Sequence, residues 1–178
     1  MNARRAVFLD RDGVLNEPIL REGRPYPPSG LHELIIVPGA ETALARLKQH
    51  GFLLVVVTNQ PDVGRGTATQ AEVERINRHL ASCLPLDDFF TCYHDDSDRC
   101  DCRKPLPGLL VSAATRYDIE LGNSYMVGDR WRDIDAGAAA GCRTVLIDRH
   151  YNERKSEARP DCTVESLVDA CDWICATA

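Results

Sequence analysis

The sequence predicts an α/β fold: a mostly parallel sheet with helices on both faces. Three observations carry the prediction. Short apolar runs alternate with amphipathic stretches from one end of the chain to the other. The run FLLVVV, residues 52–57, is apolar throughout, as a parallel strand buried on both faces must be. The amphipathic stretches carry helix boundary signals: a capping-box spacing, a proline start and glycine stops.

The elements follow in order. AVFL, residues 6–9, reads as a buried strand that ends at a charged cluster. PGAETALARLKQHG, from Pro38, reads as a helix with Ala40, Ala43, Leu44 and Leu47 on one face and Gly51 as its stop. FLLVVV is the second strand. Thr69 and Glu72 have capping-box spacing, with Val73, Ile76 and Leu80 as the apolar stripe behind them. FFTCY near residue 90 is the third strand, and PGLLVSAATRYD, from Pro107, is a helix with proline at its start. SYMV, residues 124–127, is the fourth strand. DIDAGAAAG, residues 133–141, is a small-residue helix closed by Gly141, and RTVLI, residues 143–147, is the fifth strand. YNERKSEARP, residues 151–160, is a polar loop, and VESLVDACDWI, residues 164–174, is a last helix. No repeat or linker interrupts this order, so residues 1–178 are expected to form a single domain.

Composition narrows the class. With 178 residues, 44 % hydrophobic and 27 % charged, the chain is long enough for one proper core. A net charge of −6 without a long basic run argues against a general nucleic-acid or anionic-membrane binder. No apolar run approaches the roughly 18–20 residues that span a membrane. The opening MNARRAVFLDRDG lacks the pattern of an export signal, so a cytoplasmic protein is expected, with a monomer as the default. Among eight cysteines, Cys83, Cys142, Cys162, Cys171 and Cys175 are scattered and read as packing residues.

In an open parallel sheet, ligands bind outside the carboxyl ends of the strands. The residues placed there are Asp10 and Asp12, then Thr58, Asn59 and Gln60, then Arg103 and Lys104, then Asp129 and Asp133. Singly, each has an ordinary structural reading: a turn, a helix cap, a surface lysine. Jointly they place several carboxylates beside a hydroxyl and an ammonium. Carboxylates a few ångströms apart repel unless one is protonated or a cation lies between them, and hard oxygen ligands suit Mg²⁺. An aspartate beside such a cation can attack phosphorus, and a second, two residues on, can serve as general acid and base.

The stretch TCYHDDSDRCDCRKP, residues 91–105, holds Cys92, His94, Cys100 and Cys102. Three soft donors and one borderline donor suit tetrahedral Zn²⁺, and four protein ligands leave no open position, so such a zinc is structural. A redox pair and a free-standing zinc finger are the other readings. Asp95, Asp96 and Asp98 in the same stretch are expected to face solvent, with no role assigned.

FLDRDGVLN, VVVTNQ, CRKP and MVGDRWRDI together resemble the four ordered motifs of the haloacid dehalogenase-like phosphatases, over residues 5–150. The resemblance implies a Rossmann-like sheet and a Mg²⁺-dependent phosphoric monoester hydrolase. It implies Asp10 as nucleophile, Asp12 as general acid/base, and Thr58 and Lys104 as phosphate contacts. It places Mg²⁺ on Asp10, the backbone carbonyl of Asp12 and Asp129, with Asp133 as a further ligand or the partner of one. The Cys/His stretch resembles a zinc-containing, capless subgroup, which implies a structural zinc in an inserted loop at residues 92–102. That subgroup acts on small phosphate esters, heptose bisphosphates and histidinol phosphate among them. KPLPG, residues 104–108, is similar to the heptose-bisphosphate branch, in which Arg103 meets the second phosphate of a phosphorylated sugar. PDVGRG after TNQ, and the long segment REGRPYPP within residues 17–37, depart from that branch. Arg65 stays basic in the first of these and, with Asn59 and Gln60, is expected to face substrate. Arg21 and Arg24 are either anion contacts or exposed loop arginines. A zinc-binding interaction module without catalysis is the alternative of another class.

Overall fold

The first strand is the centre of the molecule. In the computed structural model, which describes residues 4–178, the chain runs β1 (Ala6–Leu9), β2 (Ile19–Arg21), β3 (Arg24–Tyr26), α1 (Ala40–Gln49), β4 (Leu53–Asn59), α2 (Pro61–Gly64), α3 (Gln70–Cys83), β5 (Asp88–Cys92), α4 (Gly108–Tyr117), β6 (Tyr125–Gly128), α5 (Trp131–Ala140), β7 (Arg143–Ile147), β8 (Cys162–Val164) and α6 (Leu167–Thr177). Six strands form one sheet in the order β5-β4-β1-β6-β7-β8. Every neighbouring pair in it is parallel. The expected single domain includes residues 1–3, which lie outside the described part.

The apolar runs are continuous because both faces of the sheet are covered. Val7 and Leu9 pack on one side with Leu54, Val56 and Val127 against α1, α3 and α6. Ala6 and Phe8 pack on the other with Val55, Val57 and Met126 against α4 and α5. Successive side chains point to opposite faces, so neither side of β1 or β4 has room for a polar residue until the strand ends. The chain moves outward from β1 through β4 to β5, then crosses back to β6. The carboxyl ends of β1, β4 and β6 therefore lie side by side where the order reverses.

Several details differ from the sequence reading. A sixth strand, β8, pairs Cys162–Val164 with β7, so Val164 belongs to the sheet and α6 starts at Leu167, where Ser166 Oγ accepts from Asp169 N at 3.1 Å. Three residues are too few to show a period. The segment read as a loop after the first motif contains an antiparallel hairpin, β2–β3, turning at Glu22 and Gly23 with φ of 52° and 75°. Both values are positive, as a tight turn matching strand twist requires. PDVGRG contains the short helix α2, and α5 begins at Trp131 rather than Asp133. At α3 only half of the capping box forms: Thr69 Oγ1 accepts from Glu72 N, while the Glu72 carboxylate pairs with Arg75. Of the scattered cysteines, Cys142 and Cys171 are buried and Cys83 is exposed. Among the described residues, no helix is long and apolar enough to cross a membrane.

Candidate active site

Asp10 is the first residue beyond β1, and its N–H still donates to Val127 O in the sheet at 3.0 Å. The chain then turns about Arg11, whose carbonyl accepts from Val14, Leu15 and Asn16. Gly13, at φ +89°, completes the turn, and a Cβ there would lie 1.8 Å from Asp129 Oδ2. Only glycine lets the first loop pack against that carboxylate. Gly128 does the same for Asp133, whose Cβ would be 2.0 Å from an added methyl. Asp133 lies in the first turn of α5, where its Oδ2 accepts from Arg130 N at 3.1 Å. Lys104 arrives from the loop after β5. Its Nζ lies 2.9 Å from Asp10 Oδ1 and 2.6 Å from Asp133 Oδ1, and it donates to Val57 O at 2.8 Å. Asn59 brackets the Lys104 main chain, donating to its carbonyl at 3.0 Å and accepting from its N–H at 3.1 Å.

The charges do not balance. Asp10, Asp129 and Asp133 each bring a carboxylate oxygen to within 4.8 Å of the others. One ammonium, Lys104, faces all this negative charge. Burial and the Asp133 charge push the Asp10 carboxyl up to about 6, against the pull of Lys104. Burial, Asp10 and Asp133 hold Asp129 well above the usual carboxylate range. Burial opposes the charge on Lys104, but Asp10 and Asp133 outweigh it and hold the ammonium above its usual value. Asp129 Oδ2 accepts from Tyr151 OH at 2.8 Å, while its buried Oδ1 has no hydrogen-bond partner. An unpartnered buried oxygen among excess carboxylates fits a hard divalent cation such as Mg²⁺.

Asp12 lines the same crevice but is held by its neighbours. Its carboxylate accepts from Arg11 at 3.0 Å, from Asn16 Nδ2 at 3.1 Å and from Gln60 Nε2 at 2.7 Å. Gln60 is buried and also donates to Thr58 Oγ1 at 3.0 Å, so it orients these two groups rather than lining the crevice. Arg11 is itself fully buried and reaches Asn77 Oδ1 at 3.0 Å.

The opposite wall is basic. Arg65, Arg103, Arg130 and Arg132 line it together with Asp62 and Asn59. Asp96 accepts from Arg103 Nε at 2.9 Å and lies 3.4 Å from Arg132, while Asp95 pairs with Arg65 at 2.6 Å. Asp96 and Asp98 are exposed, as expected, while Asp95 is half-buried; what the sequence reading lacked is that Asp95 and Asp96 hold the arginines in place. Asp98 accepts from Asp95 N at 2.7 Å and shapes the same turn. Burial, with Arg103 and Arg130 nearby, holds the Arg132 guanidinium below its usual value despite Asp96. The wall therefore favours an added anion. Pro25, Tyr26 and Pro27 of the hairpin close the crevice, whose volume is about 160 Å³. Arg21 and Arg24 are exposed and do not line it; Arg21 stacks over Tyr26 at 5.6 Å.

Cys92, at the end of β5, lies 3.5 Å from His94 Nδ1, 3.9 Å from Cys100 Sγ and 3.1 Å from Cys102 Sγ, and His94 Nδ1 lies 3.3 Å from Cys102 Sγ. A tetrahedron with arms of about 2.3 Å has edges of about 3.8 Å, so the four donors fit one Zn²⁺. None of the cysteines forms a disulfide. Burial pushes the Cys92 and Cys102 thiols up, so ionising them needs a compensating cation.

Sequence reasoning placed Arg130 at a strand end without giving it a role, and did not single out Tyr151 or Arg132. Arg132 lies inside a quoted motif, next to a strand end, and that position was the available signal. Tyr151 sits in a polar loop and carried none.

The family model described as haloacid dehalogenase-like hydrolase matches residues 28–141. The chain is similar to D-glycero-beta-D-manno-heptose-1,7-bisphosphate 7-phosphatase of Bordetella bronchiseptica, 37 % identical over 158 residues, covering 86 % of this chain and 85 % of that protein. It is similar to the Escherichia coli K12 protein of the same name, 35 % identical over 181 residues, covering 92 % of this chain and 90 % of that one. Among solved structures, the D,D-heptose 1,7-bisphosphate phosphatase of B. bronchiseptica, complexed with magnesium and phosphate, superposes with a TM-score of 0.77 at 31 % identity, covering 98 % of this chain and 99 % of that one.

Proposed function

This chain belongs to the haloacid dehalogenase-like hydrolase family, and we propose that it is a Mg²⁺-dependent phosphatase removing the 7-phosphate of D-glycero-D-manno-heptose 1,7-bisphosphate. The observation that carries the reading is the crevice itself: a nucleophile candidate, Asp10, faces Lys104 and two further carboxylates, with a basic wall opposite. One phosphate fits against Asp10, Lys104 and Thr58. The other fits the wall of Arg103, Arg132 and Arg65, where paired N–H groups suit phosphate oxygens.

Asp10 attacks the phosphorus of the 7-phosphate, forming an aspartyl-phosphate as the bond to the sugar oxygen breaks. Asp12 gives its proton to that leaving oxygen and later takes one from the water that hydrolyses the aspartyl-phosphate. Arg11, Asn16 and Gln60 hold Asp12 beside the crevice for both transfers. Lys104 offsets charge on the transferring oxygens and is kept in place by Asp133 and Val57 O. A Mg²⁺ held by Asp10 and Asp129 supplies further charge neutralisation and aligns the phosphoryl group. Cys92, His94, Cys100 and Cys102 would hold a structural Zn²⁺, which would fix the loop that carries Arg103 and Lys104.

The product, heptose 1-phosphate, keeps the anomeric phosphate needed for nucleotide activation and suits the supply of heptose to polymers such as lipopolysaccharide. The names of the relatives favour the β anomer. The test is phosphate release from a panel with Mg²⁺: both anomers of heptose 1,7-bisphosphate, fructose 1,6-bisphosphate and histidinol phosphate. The expected result is the highest kcat/KM on a heptose bisphosphate. A clear preference for histidinol phosphate would overturn the substrate, and no release from any ester would overturn the enzyme.

A further inference from the structure

We propose that Tyr151 is a positioning residue for the cation ligand Asp129, delivered by a strap of residues 148–153 that closes the metal side of the crevice. The inference rests on the reading above, in which Asp129 holds Mg²⁺. The strap leaves the sheet after β7, where Asp148 N donates to Val164 O at 2.8 Å. Three alternate residues then reach three parts of the site. Arg149 donates to Gly13 O from Nε at 3.1 Å and Nη2 at 2.9 Å, and from Nη1 to Glu17 at 2.9 Å. Tyr151 OH donates to Asp129 Oδ2 at 2.8 Å. Glu153 accepts from Arg130 Nη2 at 2.6 Å. His150 and Asn152, between them, are exposed. The backbone bends at His150, whose φ is +57°, and this bend lets Arg149 and Tyr151 both face the site while His150 points to solvent.

The consequence falls on one oxygen. Gly13 packs so closely on Asp129 that a methyl there would overlap Oδ2. Tyr151 engages the same Oδ2, which leaves Oδ1 as the unpartnered atom. Rotation of the carboxylate is thereby restricted, and one lone-pair face stays available beside Asp10 and Asp133. A phenol suits this task better than a basic residue. It fixes the carboxylate without adding a charge that would compete with a cation. Hydrogen-bond partners of a ligating group typically change metal affinity about 10–100-fold when removed.

The test is calorimetric titration of the full chain with Mg²⁺ alone, comparing wild type with Tyr151→Phe, alongside melting of both proteins without added metal. The expected result is a Mg²⁺ Kd raised about 10-fold with little change in metal-free melting. The Mg²⁺ concentration for half-maximal phosphate release should rise in parallel, with KM for the bisphosphate moving less than about twofold. An unchanged or tighter Kd overturns the proposal, and so does a lower metal-free melting temperature with the same Kd, which marks a structural anchor only. Wild type that takes up no Mg²⁺ overturns the cation reading together with this one. Wild type that binds Mg²⁺ but leaves heptose bisphosphate intact overturns the substrate alone, and the Tyr151 comparison still decides.

Discussion

Buried carboxylates exchange water for whatever the protein offers, and in this crevice the offer is one ammonium for three acids. That imbalance is the chemical content of the site. Asp10 and Asp133 both touch Lys104, and Asp10 is the more exposed of the two, its side chain 12 % exposed against 2 %. Replacing it by Asn keeps the shape and removes the nucleophile and one negative charge. Asp10→Asn should lower phosphate release by at least about 10³-fold. Melting without Mg²⁺ should stay the same or rise, because a repulsion is relieved. Turnover within tenfold of wild type, measured as inorganic phosphate, would remove Asp10 from the mechanism. Asp10, Lys104 and Asp129 were legible in sequence because each follows a strand in a recognisable motif. Asp96 and Tyr151 were not. Their importance lies in partners on other loops, Arg103 in one case and Asp129 in the other, and no local pattern encodes such pairings.

Among the elements, the Cys/His loop joins structure to chemistry. Its four donors sit 3.1–3.9 Å apart where measured, and the chain passes directly from Cys102 to Arg103 and Lys104. Asp95 and Asp96 of the same loop hold Arg65 and Arg103. Loss of the proposed zinc should therefore damage activity through the basic wall, without the metal touching substrate. Cys102→Ser should yield protein with no bound zinc, a lower melting temperature and a rate reduced by about 10-fold or more. Metal analysis, melting and phosphate release check it together. Full activity in a zinc-free protein would separate this loop from the reaction. The hairpin is the opposite case. Sequence marked residues 17–37 as unusual but not as paired strands, because two three-residue strands joined at Glu22-Gly23 offer no usable period.

For the molecule as a whole, the sheet determines where the charge collects. β1 and β6 end side by side, so Asp10, Asp129 and Asp133 meet where all three are buried. Without a cation this gives a definite pH dependence. Asp10 is raised from 3.8 to about 6 and Asp129 is raised too, so the folded state holds more protons than the unfolded one over that interval. Stability from these groups is therefore present at low pH and is lost as pH rises from about 4 through the raised values. In the proposed reading Mg²⁺ binds the ionised carboxylates, which would reverse the loss. Added Mg²⁺ should raise the melting temperature more at about pH 7.5 than at about pH 5. An equal rise at both values, or none, would show that the carboxylates are not the cation site.

The sequence by itself determined the alternation of strand and helix, the two covered faces, the four ordered motifs and the donor types of both candidate metal sites. These are local properties: a run of apolar residues must be buried, and a strand end must meet solvent or ligand. Only the tertiary structure decided which oxygen of Asp129 is left without a partner, that Gln60 and Asn59 orient Asp12 and Lys104, and that residues 149, 151 and 153 reach Gly13, Asp129 and Arg130. Those facts depend on side chains far apart in sequence arriving within about 3 Å of each other. That arrival is set by how the whole sheet twists and packs, which no single stretch of the chain contains.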